Sequence, residues 1–269
     1  MTGKAIDINE CHRRLLRIAN HFKQTCESND IPYYMLGGTM LGAIRHRGFI
    51  PWDDDMDFGV PMEHYERLRE LLKSSLPHDI RVCEFQNTKG CRTAFIKLDD
   101  THSCMDDKCV DLPIEEKLGV NIDIFPLVSC QRRGVKVCMH LLMTRLNSAI
   151  FTEPISGSRF RHYVKKVLRG LTPFNQDWLL HRLWKLTLSI NNGNHYGNLF
   201  GRYRSKEIIL KSIFGHPTSY VFEDTTFNGP TKADEYLTIL YGDYMKIPDN
   251  PSNHSSAIFE RTYQEMRNG

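Results

Sequence analysis

The residues best suited to chemistry in this 269-residue chain are concentrated in PWDDDMDFG, where Asp53, Asp54, Asp55 and Asp57 crowd together. Side chains at i and i+2 of an extended segment project to the same side, so Asp55 and Asp57 can converge on one divalent cation. Carboxylates this close repel one another unless a cation relieves them. Carboxylate oxygens suit a hard ion such as Mg²⁺ or Mn²⁺, which also takes substrate phosphates as ligands. Trp52, Met56 and Phe58 flank the acids, which favours a partly buried site over a solvated acidic turn. An EF-hand calcium loop starting at Asp53 would need glycine at 58 and glutamate at 64, and the chain has Phe58 and His64. A third ligand candidate is Asp123, isolated between Ile122 and Ile124; its plain alternative is a strand acid facing water.

These acids need elements to position them. YYML at 33–36 reads as a short buried strand running into Gly37-Gly38-Thr39, after which MLGAIR forms a helical turn. Strand, glycine turn and helix is an arrangement that handles phosphate: Gly38 lets the backbone N–H approach closely and Thr39 adds a hydroxyl. MDFGV at 56–60 is a strand end, followed by a helix from about Pro61 to Ser74. IRVCEF at 80–85 and TAFIKL at 93–98 read as a hairpin turning at Lys89-Gly90, and the polar stretch from Asp99 to Leu118 as a loop. GVNIDIFPLV alternates, which puts Asp123 on the strand face opposite the core.

Asp7 caps an opening helix that runs to near Asn29. From Gln131 to about Lys211 the pattern is helical, interrupted at Pro154, at 170–173 and at 191–194, so three or four helices are expected. The C-terminal part suggests a strand or two and a helix from about Lys232 to Tyr241. The fold class is therefore α/β (α+β), a mixed-sheet core with an added helical lobe. Residues 1–130 are assigned to the core, 131–215 to the lobe inserted in the same domain, and 216–269 to a strand and helix that complete the core.

Hydrophobic residues at 41% and charged residues at 25% are near globular averages, which excludes a disordered or fibrous chain. No apolar run reaches the ~18 residues of a membrane span, and MTGKAIDINECHRRLL lacks an apolar signal segment, so a cytoplasmic protein is expected. The eight cysteines contain no CxxC pair and read as reduced structural thiols. His102, Cys104 and Cys109 lack the second pair that a structural zinc site needs. A net charge of +3 gives no reason to expect nucleic acid. The charge is unevenly spread: Gln131 to Leu186 carries eleven Lys and Arg against Glu153 and Asp177, a local +9 that leaves about −6 elsewhere. That segment suits a solvated helical face, an anionic acceptor, or peripheral contact with the inner face of the cell membrane.

A Gly-Gly turn, an Asp-x-Asp pair and a later lone strand aspartate together make the layout of the nucleotidyltransferase fold. LGGTMLGAIRHRGFIPWDDDMDFGV at 36–60 resembles the signature of the LicD family, which includes the fukutin-related transferases. KLDD at 97–100, NIDIFPL at 121–127, FEDTTFNGP at 222–230 and YLTILYGDYMKIP at 236–248 extend the likeness from about Tyr33 to His254, weakest over about 131–205. The resemblance implies a bacterial enzyme that transfers phosphocholine from CDP-choline to a lipopolysaccharide, teichoic acid or capsular glycan. Relatives differ in the group moved, and phosphoribitol from CDP-ribitol is one variation. One departure is that the family's Pro-x-Pro before the C-terminal helix is here Asn228-Gly229-Pro230.

In a phosphotransfer of this kind, Asp55, Asp57 and Asp123 would hold Mg²⁺ or Mn²⁺, and CMP would leave as an acceptor hydroxyl attacks. Asp53, or Asp123, would activate that hydroxyl or orient the loop. Gly37, Gly38 and Thr39 would meet the phosphates, with Arg45 and Lys97 as side-chain contacts. Trp52, Tyr241 and Tyr244 would wall a quaternary ammonium. Two rivals stand beside this reading. A GT-A glycosyltransferase would release UDP or GDP; the Gly-Gly-Thr turn and Asp123 argue against it. A non-catalytic module for glycan assembly would bind through the basic segment, yet would have no need of the carboxylates.

Overall fold

The computed structural model describes residues 4–88, 91–106, 116–151, 165, 167–248 and 257–261. After the two-residue strand β1 (Ala5–Ile6), the Asp7 carboxylate accepts the Glu10 backbone N–H at 2.8 Å and opens α1 (Ile8–Glu27). Cys11, Leu15, Ile18, Ala19, Phe22 and Cys26 recur at helical spacing and form the buried stripe of α1. Next come β2 (Tyr34–Met35), α2 (Gly37–His46), β3 (Asp57–Pro61), α3 (Met62–Ser75), β4 (Ile80–Cys83), β5 (Ile96–Asp100), β6 (Ser103–Asp106) and β7 (Asn121–Cys130). Two helices, α4 (Val135–Phe151) and α5 (Gln176–Leu188), lead into β8 (His195–Asn198), β9 (Ile208–Leu210) and α6 (Lys211–Phe214). The chain closes with β10 (Thr218–Phe222), β11 (Thr225–Gly229), α7 (Ala233–Tyr241) and β12 (Ala257–Glu260).

The central sheet runs β2-β3-β7-β5-β4, and β8 and β9 join it along the far half of β7. Among the described residues its only parallel pair is β3 with β7. Met56, Phe58, Val60, Ile122 and Ile124 are fully buried in one core with Phe22 and Leu15 of α1. The alternating acids therefore point away from that core, as period-2 patterning demands. β1, β12 and β6 form a separate small sheet, and β10 and β11 a separate hairpin.

Three expectations need correction. The stretch after Asp99 is not a loop throughout: Asp99 and Asp100 end β5 fully buried, and β6 follows. Both acids are paired rather than solvated, Asp99 with Arg81 at 2.6 Å and Asp100 with Arg14 at 2.9 Å. The α-helical pattern read through Lys211 ends at Leu188, since β8 and β9 are strands with only a 3-10 turn, Arg204–Glu207, between them. These strands are short, and Gly197 is required because a Cβ there would come within 2.9 Å of the Cys130 Sγ, so no alternation announced them. MLGAIR belongs to a ten-residue helix, which ends where Arg47 takes a left-handed conformation at φ 60°. The Lys89-Gly90 turn, Cys109, Glu153, Pro154 and His254 lie outside the described residues. The described cysteines are free thiols. No helix among the described residues is long and apolar enough to cross a membrane.

His140 joins α4 to α5. Fully buried, its Nε2 lies 3.0 Å from the Thr187 hydroxyl, and burial pushes its pKa down to about 4. A depressed pKa means that the folded state resists protonation, so stability present above the unfolded value of ~6.5 is lost as the pH falls towards the folded value. Urea unfolding should show His140→Gln losing about 2 kcal/mol less than the wild type between about pH 7 and about pH 5. Equal losses in the two proteins would mean that His140 is charged in the fold.

Candidate active site

Register brings the charged groups into one row. Asp57 of β3 is the cross-strand partner of Asp123 in β7, and Asp123 is the partner of Lys97 in β5. The Lys97 ammonium donates to the Asp123 carboxylate and, at 3.0 Å, to Asn121 Oδ1. The first residue of β3 is fastened on several sides. Its N–H donates to the Thr39 hydroxyl at 2.7 Å, its carbonyl accepts from Leu36 N–H at 2.9 Å, and Met56 carbonyl accepts from Asp123 N–H at 2.9 Å. Thr39 is buried, so its hydroxyl ties α2 to the acidic strand rather than facing the cleft.

The acidic loop is braced from behind. His12 of α1 bonds the Asp53 carbonyl at 2.7 Å and stacks on Phe49 with ring centroids 4.0 Å apart. Glu223, at the tip of the β10–β11 hairpin, accepts the Phe49 N–H at 2.9 Å and occupies the space a Cβ on Gly48 would need. In front, the carboxylates press on the glycine turn. A Cβ on Gly38 would lie 2.8 Å from Asp53 Oδ2, and one on Gly37 would lie 3.3 Å from Asp57 Oδ2. Gly37 also sits at φ +47° and donates its N–H to Tyr236 of α7 at 3.0 Å. Glycine is thus needed at both positions to let backbone and carboxylates meet.

The glycine turn and Asp53, Asp55, Asp57 and Asp123 line a cleft of about 800 Å³. Asp55 opens onto it, yet desolvation by the surrounding walls and then the charges of Asp53, Asp123 and Asp54 push its carboxyl up to about 7. Burial, then repulsion from Asp55 and Asp123, raises Asp57 well above the usual carboxylate range. Desolvation works against the charge of Lys97, but the adjacent Asp123 carboxylate outweighs this and raises its pKa. Hard oxygen donors resisting ionisation in a shared cleft fit a divalent cation, and Asp55 and Asp57 are the pair best placed to hold one. Among the described residues no three carboxylate, imidazole or thiol groups already form a complete ligand set; Lys97 stands as the cation beside Asp123.

Gly37, Gly38, Arg45, Trp52, Asp53, Asp55, Asp57, Asp123, Tyr241 and Tyr244 all line the cleft, whereas Thr39 supports it from α2 and Lys97 from β5. Arg45 donates to the Tyr244 carbonyl at 3.0 Å, and the Tyr244 hydroxyl donates to Asp234 at 2.8 Å. Sequence reasoning missed Glu207, Asn198, Arg202, Tyr203 and Lys246, which share the cleft. Glu207 accepts Asn198 Nδ2 and Tyr203 N–H, each at 2.7 Å; burial nevertheless pushes its carboxyl up to about 7. An isolated acid in a segment read as helical carried no signal of this placement.

Residues 30–131 match the model of the LicD/FKTN/FKRP nucleotidyltransferase domain. The lipopolysaccharide cholinephosphotransferase LicD of Haemophilus influenzae is 28% identical over 264 residues, which cover 91% of this chain and 94% of that protein. The ribitol 5-phosphate transferase FKRP of Homo sapiens is 36% identical over 61 residues, 23% of this chain and 12% of that protein. The acidic strand, its glycine turn and Asp123 thus assemble on one cleft within the stretch that matches the LicD/FKTN/FKRP nucleotidyltransferase domain, and the chain is similar along nearly its whole length to a transferase that carries that name.

Proposed function

We propose that the chain moves phosphocholine, or a related phospho-alditol, from a CDP-linked donor to a hydroxyl of a cell-surface glycan and releases CMP. The observation that carries this reading is the convergence of Asp53, Asp55, Asp57 and Asp123 with Gly37-Gly38 on one cleft, whose volume suits a nucleotide-sized ligand. Mg²⁺ or Mn²⁺ bound by Asp55 and Asp57, with Asp123, would supply charge neutralisation at the donor pyrophosphate. The chain's own groups do the rest. Arg45, Arg202 and Lys246 face the cleft as cations for phosphate oxygens. Asp53, held by its backbone to His12, is placed to take the proton of the acceptor hydroxyl. Trp52, Tyr241 and Tyr244 offer aromatic faces to a quaternary ammonium, and Tyr203 meets Tyr241 edge-on at 5.3 Å.

Calorimetry with Mg²⁺ should find CDP-choline, CDP-ribitol or CDP-glycerol binding more tightly than UDP-glucose or GDP-mannose, and CMP should appear when a glycan acceptor is added. EDTA should abolish turnover. Asp55→Asn should lower kcat by about 10²-fold or more, the scale of losing one electrostatic stabiliser of the transition state. Preference for a UDP or GDP sugar would move the chain to the glycosyltransferase reading, and absence of any nucleotide binding to the non-catalytic one.

Gly38→Ala offers a sharper test of geometry. Its methyl would displace the Asp53 carboxylate, so kcat/KM should fall by about tenfold or more, the usual consequence of a small misplacement at a reacting centre. Unchanged kcat/KM in a folded Gly38→Ala protein would remove Asp53 from the proposed chemistry.

A further inference from the structure

The lobe formed by α4, the helical stretch at 167–171 and α5 exposes apolar side chains that the core does not use. On α4, Val135, Met139, Leu142 and Leu146 are exposed, Val135 at 83% and Leu142 at 66%. Their spacing of four, three and four residues places them on one stripe, while Val137, His140 and Ile150 are the residues that α4 buries. This helix is thus apolar on two faces, only one of which is packed. Leu171, 75% exposed, with Val167 and Leu168, repeats the pattern on the next helical stretch. Trp178 is exposed at the start of α5, stacked on Phe174 with centroids 5.0 Å apart and with the Arg182 guanidinium 5.1 Å from its ring.

Charge decides what such a surface meets. Among the described residues from 131 to 188 there are eight Lys and Arg and a single acid, Asp177. Arg132, Arg133 and Arg145 are exposed beside the α4 stripe. A second copy docked through this face would bring like charges together. A layer of anionic lipid head groups instead accepts the cations while the apolar stripe and Trp178 enter the boundary with the acyl chains. Arginine suits that position because its stem lies along apolar surface while its head stays in water.

We propose that this lobe is a membrane-docking face that seats the protein, without spanning, on an anionic lipid surface. The inference does not depend on which donor the cleft binds, and it needs neither donor nor acceptor to be tested.

The full chain would be floated with vesicles of phosphatidylcholine alone and with vesicles containing about 30% phosphatidylglycerol, at low and high salt. Three proteins would be compared: wild type, Val135→Ser/Leu142→Ser/Leu146→Ser, and Arg132→Glu/Arg133→Glu/Arg145→Glu. Wild type should bind the anionic vesicles only, and more weakly in high salt. Each variant should bind about tenfold more weakly, because either the apolar or the electrostatic half of the contact is gone. All six substitutions are at exposed positions, so melting temperatures should stay at the wild-type value. Equal binding to neutral and anionic vesicles, or variants that bind like wild type, would overturn the proposal. So would a wild-type dimer in solution that the serine variant abolishes, since that would assign the stripe to a second copy.

Discussion

Repulsion among carboxylates at the start of β3, opposed by the Lys97 ammonium paired with Asp123, is the interaction around which the molecule is organised. Asp57, Asp123 and Lys97 lie in one cross-strand row, with Asp55 two residues away on the same side of the chain. Left alone, such a cluster would either protonate or splay apart. The fold prevents the second outcome by fastening the acidic strand with backbone bonds to Thr39, Leu36 and Asp123. Elements far apart in sequence serve that purpose: α1 through His12, the β10–β11 hairpin through Glu223, and α7 through Tyr236. The motifs near the C-terminus therefore need not touch a substrate to matter, because they fix the loop and the turn that present the acids.

Much of this was legible locally. The i, i+2 spacing of Asp55 and Asp57 and the isolation of Asp123 between isoleucines specify their direction in a strand, and the Asp7 cap and apolar stripe of α1 specify that helix. What depends on pairing between distant strands was not. Lys97 reads as a free cation beside a motif, and only the β5–β7 register makes it the partner of Asp123. Thr39 is of the type that contacts phosphate, but its hydroxyl is taken by the Asp57 N–H. His12 lies within a regular helix and carries no local mark of its bond to the acidic loop. Asp99 and Asp100 look like loop residues because their compensating arginines come from β4 and α1. Glu207 reaches the cleft on a segment whose strands are too short to show a period.

The cleft and the lobe differ in what they leave unsatisfied. In the cleft it is charge: acids that a hard cation would neutralise. In the lobe it is apolar surface, surrounded by cations. Together these suit an enzyme that works on a polar donor while resting against a lipid surface.

The most direct test of the central constraint is the melting temperature of the wild type and of Asp57→Asn as Mg²⁺ or Mn²⁺ is titrated in without nucleotide. If carboxylate repulsion is what the cation relieves, the wild type gains stability with metal, whereas Asp57→Asn melts higher than metal-free wild type and responds little. A wild type indifferent to both ions, or an Asp57→Asn protein that melts lower than metal-free wild type, would contradict the role assigned to the acidic row.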